Sequence, residues 1–430
     1  MINRIVVIGN GFDLAHGMKT SYKDFFAGYW DFIKDELIHS IERHNSKYEI
    51  KDKLCTISLK DHTYPWYIHL INNGYTGVSQ LNGMDFYNRL KNDVNVEIKP
   101  SPFFERICRN VDTKNWVDIE NEYYQLLKKI ALDDFYSIDM LNVELDYLKE
   151  KLIHYLEGTT NNVYENCIKE EIMSPLREGD MSMFGKKILS DYINDRFEWS
   201  DKQWKDLIQK YSNIEPLLID NNIQNQIEKI KEDIKFIKHH RYLPNNKPNH
   251  TLTVTSIPDR TIILNFNYTD TISRYVPIDS PFLHINIHGS TKHIDDAIFG
   301  YGDELDEDFK KIENLNDNRY LNNLKSIGYL ESDKYSWLLE VINSAPYQVF
   351  IMGHSCGNSD RTLLNTLFEH ENCISIKLYY YEYKDSDGNI RDNYKSIVQN
   401  IYRNFTNKAD IRDKVVNKRY CEPLIPLTED

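Results

Sequence analysis

Short apolar runs dominate the two ends of the chain, whereas apolar positions recur with helical spacing through its middle. Ile5-Val6-Val7-Ile8 is a continuous aliphatic run, the pattern of a strand covered on both faces. Similar runs recur at Thr261–Leu264, Phe282–Ile287, Gln348–Met352 and Ile374–Tyr381, and helical spacing marks Asp360–His370 and Tyr394–Phe405. Strands alternating with helices predict an α/β fold of the Rossmann-like class, built on an open, mostly parallel sheet.

From about Tyr22 to about His250 the spacing predicts mostly helix. Leu141, Leu145, Leu148, Leu152 and Leu156 share one helical face that ends at Gly158, and Ile223, Ile227, Ile230, Ile234 and Ile237 form a second stripe. Both stripes fit the core of a helical bundle, and equally an interface with a partner or a homo-oligomer. The Pro/Asn-rich segment Leu243–His250 reads as a return linker. The expected organisation is a Rossmann-like domain made of residues 1–28 and 251–430, interrupted by a large helical insertion at 29–250.

Composition narrows the function classes. Lys+Arg 52 against Asp+Glu 66 gives a net charge of −14, which argues against nucleic acid or anionic membrane being bound through bulk charge. A hydrophobic fraction of 41% supports real cores in 430 residues. No run of about 18 apolar residues is present, so no membrane span is expected. The six cysteines are scattered without a C-x-x-C pair, which predicts neither a disulfide framework nor a zinc site. A cytoplasmic protein without a bound metal is the expectation.

Four segments can carry chemistry. Gly9-Asn10-Gly11-Phe12-Asp13 follows the first strand directly, where glycines allow a tight turn and a close approach to a phosphate at the following helix start. Leu14 replaces the third glycine of the dinucleotide fingerprint, and the G-K-[ST] of a phosphate loop is missing. Asn265 and Asn267 close the Thr261–Leu264 strand, at the carboxyl edge where open sheets bind ligands; Asn267 could instead cap the next helix. His284, Asn286 and His288 share one strand face, with His288 at the carboxyl edge and placed as a general base. Gly353-His354-Ser355-Cys356-Gly357 lies after another strand; Ser355, Ser359 and Asp360 can bond a ribose or phosphate, and Ser359 or Asp360 can equally cap a helix. Literally it also matches the nucleophile turn of esterases, whose histidine could only be His370, inside an expected helix.

Taken in order, these segments resemble the AbiH family of bacterial phage abortive-infection proteins. The stretch Val7 to Phe25 carries most of the resemblance, supported by Trp116-Val117-Asp118-Ile119-Glu120, Asn265 to Thr269, Ile287-His288-Gly289 and Gly353-His354-Ser355. More distantly, the same order is similar to sirtuin-like NAD-consuming domains of bacterial defence, although Thr269 stands where those usually have aspartate and Asp13 where many have serine. The zinc-binding cysteine quartet of deacylating sirtuins is missing. The resemblance implies an anti-phage protein that binds NAD or a related nucleotide and hydrolyses the nicotinamide–ribose bond. It implies Asn267 and His288 as catalytic residues, with Gly9, Asn10, Gly11, Asp13, Gly353, Ser355 and Asp360 around the nucleotide. A phage-derived trigger is the expected partner. The alternative is a module that binds a nucleotide without turning it over, with the insertion as sensor.

Overall fold

A computed structural model describes residues 1–42, 49–61, 65–72, 77–114, 118–133, 135–159, 165–196, 258–275 and 282–427, with short pieces between 198 and 206. The isoleucine stripe 223–237, the segment 243–250 and Trp116-Val117 lie outside the described residues.

The strands, in chain order, are β1 (Asn3–Ile8), β2 (Glu49–Lys51), β3 (Cys55–Leu59), β4 (Val96–Pro100), β5 (Thr261–Asn265), β6 (Phe282–Asn286), β7 (Tyr347–Met352), β8 (Cys373–Tyr380), β9 (Glu382–Lys384), β10 (Ile390–Asp392) and β11 (Glu422–Pro423). Six of them form one sheet in the order β11-β8-β7-β1-β5-β6. Every pairing within it is parallel. All six residues of β1 are buried, as a central parallel strand requires. β1 lies between β5 and β7, so the chain order reverses beside it and the ligand crevice of such a sheet falls at its carboxyl end.

The period-two alternation of the strands sorts side chains onto two faces. Ile5, Val7, Val349 and Ile351 face a core completed by helices Lys334–Ser344, Arg361–Glu369 and Tyr394–Asn404. Val6, Ile8, Phe350 and Met352 face the other side, covered by helix Asn166–Met173 and by Phe12 and Tyr275. Residues 166–196, within the stretch expected as a helical insertion, are thus part of the sheet's own cover. Arg4, wholly buried, fastens this cover by donating to the carbonyls of Ile172, Ser174 and Pro175.

The rest of the insertion has its own core. Helices Tyr22–Glu42, Ile119–Asp133 and Ile138–Glu157 pack around Trp30, Phe86, Phe103 and Tyr123. Leu141, Leu145, Leu148, Leu152 and Leu156 are all buried there. The expected boundary after residue 28 falls inside helix Tyr22–Glu42, which carries the chain from one unit into the other. Beside the expected helices the insertion carries an unforeseen three-stranded antiparallel sheet, β2-β3-β4. These strands are only three to five residues long and interspersed with charges, so alternation is too brief to stand out against the flanking helices.

A long connection, residues 287–346, joins β6 to β7. Its first part belongs to the insertion core through Phe299, Tyr301, Phe309, Ile312, Tyr320 and Leu324. Tyr301 pairs with the Leu324 region, the Lys325 amide donating to the Tyr301 carbonyl at 2.8 Å. This strap ties insertion and sheet together directly over the sheet's carboxyl edge.

Candidate functional site

The turns that follow β1 and β7 dovetail. The Gly11 amide donates to the Gly353 carbonyl at 2.8 Å and the Gly9 amide to Met352 at 3.3 Å. A Cβ on Gly11 would meet the Gly353 oxygen at 2.7 Å, and one on Gly353, which has φ +76, would meet the Phe12 nitrogen at 2.0 Å. The Phe12 amide also turns inward, to the Gly9 carbonyl. The glycines therefore serve the fit of turn on turn, and the Gly9, Gly11 and Phe12 amides are already engaged within the protein. Asn10 accepts from the Thr20 hydroxyl at 2.6 Å.

Asn265 and Asn267 lace the neighbouring strand ends together. Asn265 donates to the Thr269 carbonyl and to Asn286, and accepts from the Asn267 amide. Asn267 donates to the Gly9 carbonyl at 3.1 Å and so lies against the first turn, while the flanking Phe266 and Tyr268 rings pack on His288. Asp13 is buried, accepts from the Thr269 hydroxyl, and leaves its second carboxyl oxygen without a hydrogen-bond partner. Burial pushes its carboxyl up.

The second constellation centres on Asp360. Its carboxylate lies 3.1 Å from His288 Nε2, 2.8 Å from Lys325 Nζ and 3.6 Å from His354 Nε2. The Cys356 amide donates to His354 Nδ1, so the proton of that neutral imidazole sits on Nε2, toward Asp360. Asp360 occupies the N-cap position of helix Arg361–Glu369, one of the expected alternatives, but its side chain makes no capping hydrogen bond. Lys325 also binds the Glu120 carboxylate at 2.9 Å, and the other Glu120 oxygen accepts the Gly300 amide at 3.1 Å. Glu120 is held by local rules: Asp118 accepts the Asn121 amide as a cap, starting helix Ile119–Asp133 with Glu120 in its first turn.

Two carboxyls thus share one buried ammonium, and their protonation separates. Burial, opposed by Lys325 and reinforced by Asp360 and Asp118, pushes the Glu120 carboxyl up to about 7. Burial acts the same way on Asp360, but Lys325 and then His288 outweigh it and hold that carboxyl well below the ordinary range. His288 departs from expectation. Burial, with the Lys325 ammonium adding to it, lowers its pKa to about 4 despite Asp360. It is a neutral ring between Asp360 and the Tyr329 hydroxyl, and a poor base at neutral pH.

A narrow crevice with a free volume of about 10 Å³, room for about one water molecule, opens beside this cluster, lined by Glu120, Asn121, Tyr124, Tyr301, Asp303, Asn358 and Ser359. Ser355 lies outside it, with its side chain exposed. The esterase alternative loses its histidine. His370 bonds Asn343 and Asn372 and packs on Tyr347, at the opposite end of β7 from Ser355. Among the described residues, no group of three or more His, Cys, Asp or Glu is arranged to hold a metal ion. Nor is any described helix long and apolar enough to cross a membrane.

The expected residues therefore divide. Gly9, Asn10, Gly11, Asp13, Asn267 and Gly353 meet around the β1 and β7 turns, whereas His288 and Asp360 belong to the buried ionic cluster. Glu120 and Lys325 were missed as site residues. Glu120 carried a signal in the Trp116–Glu120 motif, whereas Lys325 is a lone lysine in a strap without a recognisable pattern.

An open parallel α/β sheet with an ionisable cluster at its carboxyl edge, completed by an inserted helical unit, places the chain among the α/β proteins with a Rossmann-like open sheet. The family follows from most of the chain. A model of the bacteriophage abortive infection AbiH family matches residues 5–382, and the protein belongs to that family. Neither the curated proteins nor the solved structures gave a match.

Proposed function

We propose that this abortive-infection protein consumes NAD or a related nucleotide by hydrolysing its N-glycosidic bond to ribose. The observation that supports this most is the Glu120–Lys325–Asp360–His288 array, with one acid near its midpoint at neutral pH and the other fully ionised. Cleavage of a ribosyl bond places positive charge on the sugar, which an anionic, dry site stabilises. A phosphoryl-transfer site needs cations facing the substrate, and here the Lys325 ammonium is already engaged by two carboxylates.

In this reading the reacting ribose lies over the mouth of the crevice beside Glu120, where Asn358 and Ser359 bond its hydroxyls, and the crevice itself holds the attacking water. Asp360 supplies the negative charge, and His288 with Tyr329 fixes the Asp360 carboxylate. Asn267 sets the turn on which the site rests, and Asp13 keeps one oxygen for a ligand hydroxyl. The rest of a dinucleotide lies on the surface, because the Gly9 and Gly11 amides are committed within the protein. A phage-derived trigger would act on the insertion, which contributes Glu120.

The test is direct. Purified protein incubated with NAD should release nicotinamide and ADP-ribose, and Asp360→Asn should abolish the release. NAD that stays intact, both alone and with lysate from phage-infected cells, would refute hydrolysis. One observation favours the alternative of a non-catalytic sensor. The crevice has room for about one water molecule, far less than ordinary small-molecule sites offer. Binding of NAD without turnover would select that alternative.

A further inference from the structure

We infer that Glu120, delivered to the sheet edge by the inserted helical unit, is the base that activates the attacking water. The inference rests on the hydrolytic function proposed above and assigns a step that His288 was expected to perform. Among the groups of the cluster, Glu120 is the one whose residue lines the crevice, whereas His288 and Asp360 lie behind it. Its position is fixed on both oxygens, by the Gly300 amide and by the Lys325 ammonium. Each carboxylate oxygen has further lone-pair capacity, so a water in the crevice can donate to Glu120 while both contacts persist.

The groups facing Glu120 come from several elements: Lys325 and Tyr329 from the strap, Asp360 after β7, Asp118 and Tyr22 from the insertion, and Tyr268 after β5. The three phenols are pushed up by burial and stay neutral, so Lys325, Asp360 and Asp118 set the charge around it. Together with burial they place Glu120 near 7, where a base is both available and strong enough to take a proton. His288, lowered to about 4, is a far weaker acceptor.

The step balances as follows. As the bond between the ribose anomeric carbon and the pyridine nitrogen breaks, its electron pair goes to the nitrogen and neutral nicotinamide leaves. Water attacks the same carbon, and its proton passes to Glu120. Release of that proton restores the carboxylate, so NAD and water give ADP-ribose, nicotinamide and one proton.

Glu120→Gln keeps the shape and one of the two accepted hydrogen bonds, its amide nitrogen facing a donor, and should lower turnover of NAD by about 100-fold or more. The rate of the unaltered protein should rise with pH through about 7, a limb that Glu120→Gln lacks and His288→Gln retains. Azide needs no base, so it should restore turnover to Glu120→Ala and give ribosyl azide as product. A folded Glu120→Gln protein within a few-fold of full activity, with its pH limb intact, would overturn the assignment while leaving NAD hydrolysis standing. Failure of the unaltered protein to cleave NAD would instead remove both. Should Glu120→Gln not hold its fold, Glu120→Asp decides: a displaced limb supports the assignment and an unmoved one overturns it.

Discussion

Replacing Lys325 by methionine removes the one charge that two buried carboxyls share while keeping most of the apolar stem. Lys325 is 1% exposed, with its ammonium 2.9 Å from Glu120 and 2.8 Å from Asp360. Removing one partner of a buried ion pair costs about 3–5 kcal/mol, because the other partner stays behind unpaired. Unfolding entropy of about 2.1 cal/mol/K per residue implies about 1 °C per kcal/mol for a cooperative chain of 430 residues, hence a Tm lower by ~3–5 °C. The loss must depend on pH, with a definite sign. The Glu120 carboxyl, at about 7 in the folded state against 4.5 ordinarily, contributes most below the lower value and progressively less as pH rises through the higher. Without the ammonium it rises further. The variant can neutralise Glu120 at about pH 5.5, but at about pH 8 it must ionise a buried acid or hold a proton against solution. Denaturant unfolding at both pH values should therefore show the larger deficit at the higher one. Adding Glu120→Gln to Lys325→Met should recover part of it. A deficit below about 1 kcal/mol, or one equal at the two pH values, would refute the shared-ammonium account.

Four further outcomes follow from the same structure. Gly11→Val should lower the melting temperature rather than only weaken nucleotide binding, since its side chain must displace the Gly353 carbonyl; calorimetric unfolding checks this. Arg4→Met should leave three carbonyls of 172–175 unsatisfied, and amide exchange should quicken through helix Asn166–Met173 while the Leu141–Leu156 helix stays protected. His288 stays neutral in the folded state down to about pH 4, so between pH 6.5 and 4 the unfolded chain takes the proton first and stability falls. His288→Gln should lose less than the unaltered protein over that range in acid titrations of stability. Asn267→Ala, which frees the first turn, and His288→Ala, which frees the Asp360 carboxylate, should each reduce NAD turnover by about 100-fold, with protection against phage falling in step.

The central strand was legible because Ile5 to Ile8 had to be buried on both faces, and the strand ends at Asn265, His288 and Gly353 followed from the same logic. The ionic cluster was only half visible. His288 and Asp360 stand in short motifs after strands, but what they do depends on Lys325 and on Glu120, 205 positions apart in the chain. No local pattern reports such a pairing. The pKa of His288 was misjudged for the same reason, since neither the depth of burial nor a neighbouring ammonium is written in the residues around it. The glycines of the first turn were legible as a close approach, but the thing approached is Gly353 and not necessarily a phosphate.

The position of β1 at the centre of the sheet bears on how the protein is made. It is synthesised first, yet its neighbours β5 and β7 begin at Thr261 and Tyr347. At roughly 5–20 residues per second, a growing chain carries this strand for about 13–50 s before its first partner exists. Both of its edges are unpaired meanwhile, and its aliphatic run is the kind of segment that associates with other strands. Glu120, likewise, leaves the ribosome long before Lys325 and Asp360, so the charged cluster cannot assemble until most of the chain is out. Both the central strand and the buried cluster are thus completed only by the last third of the chain.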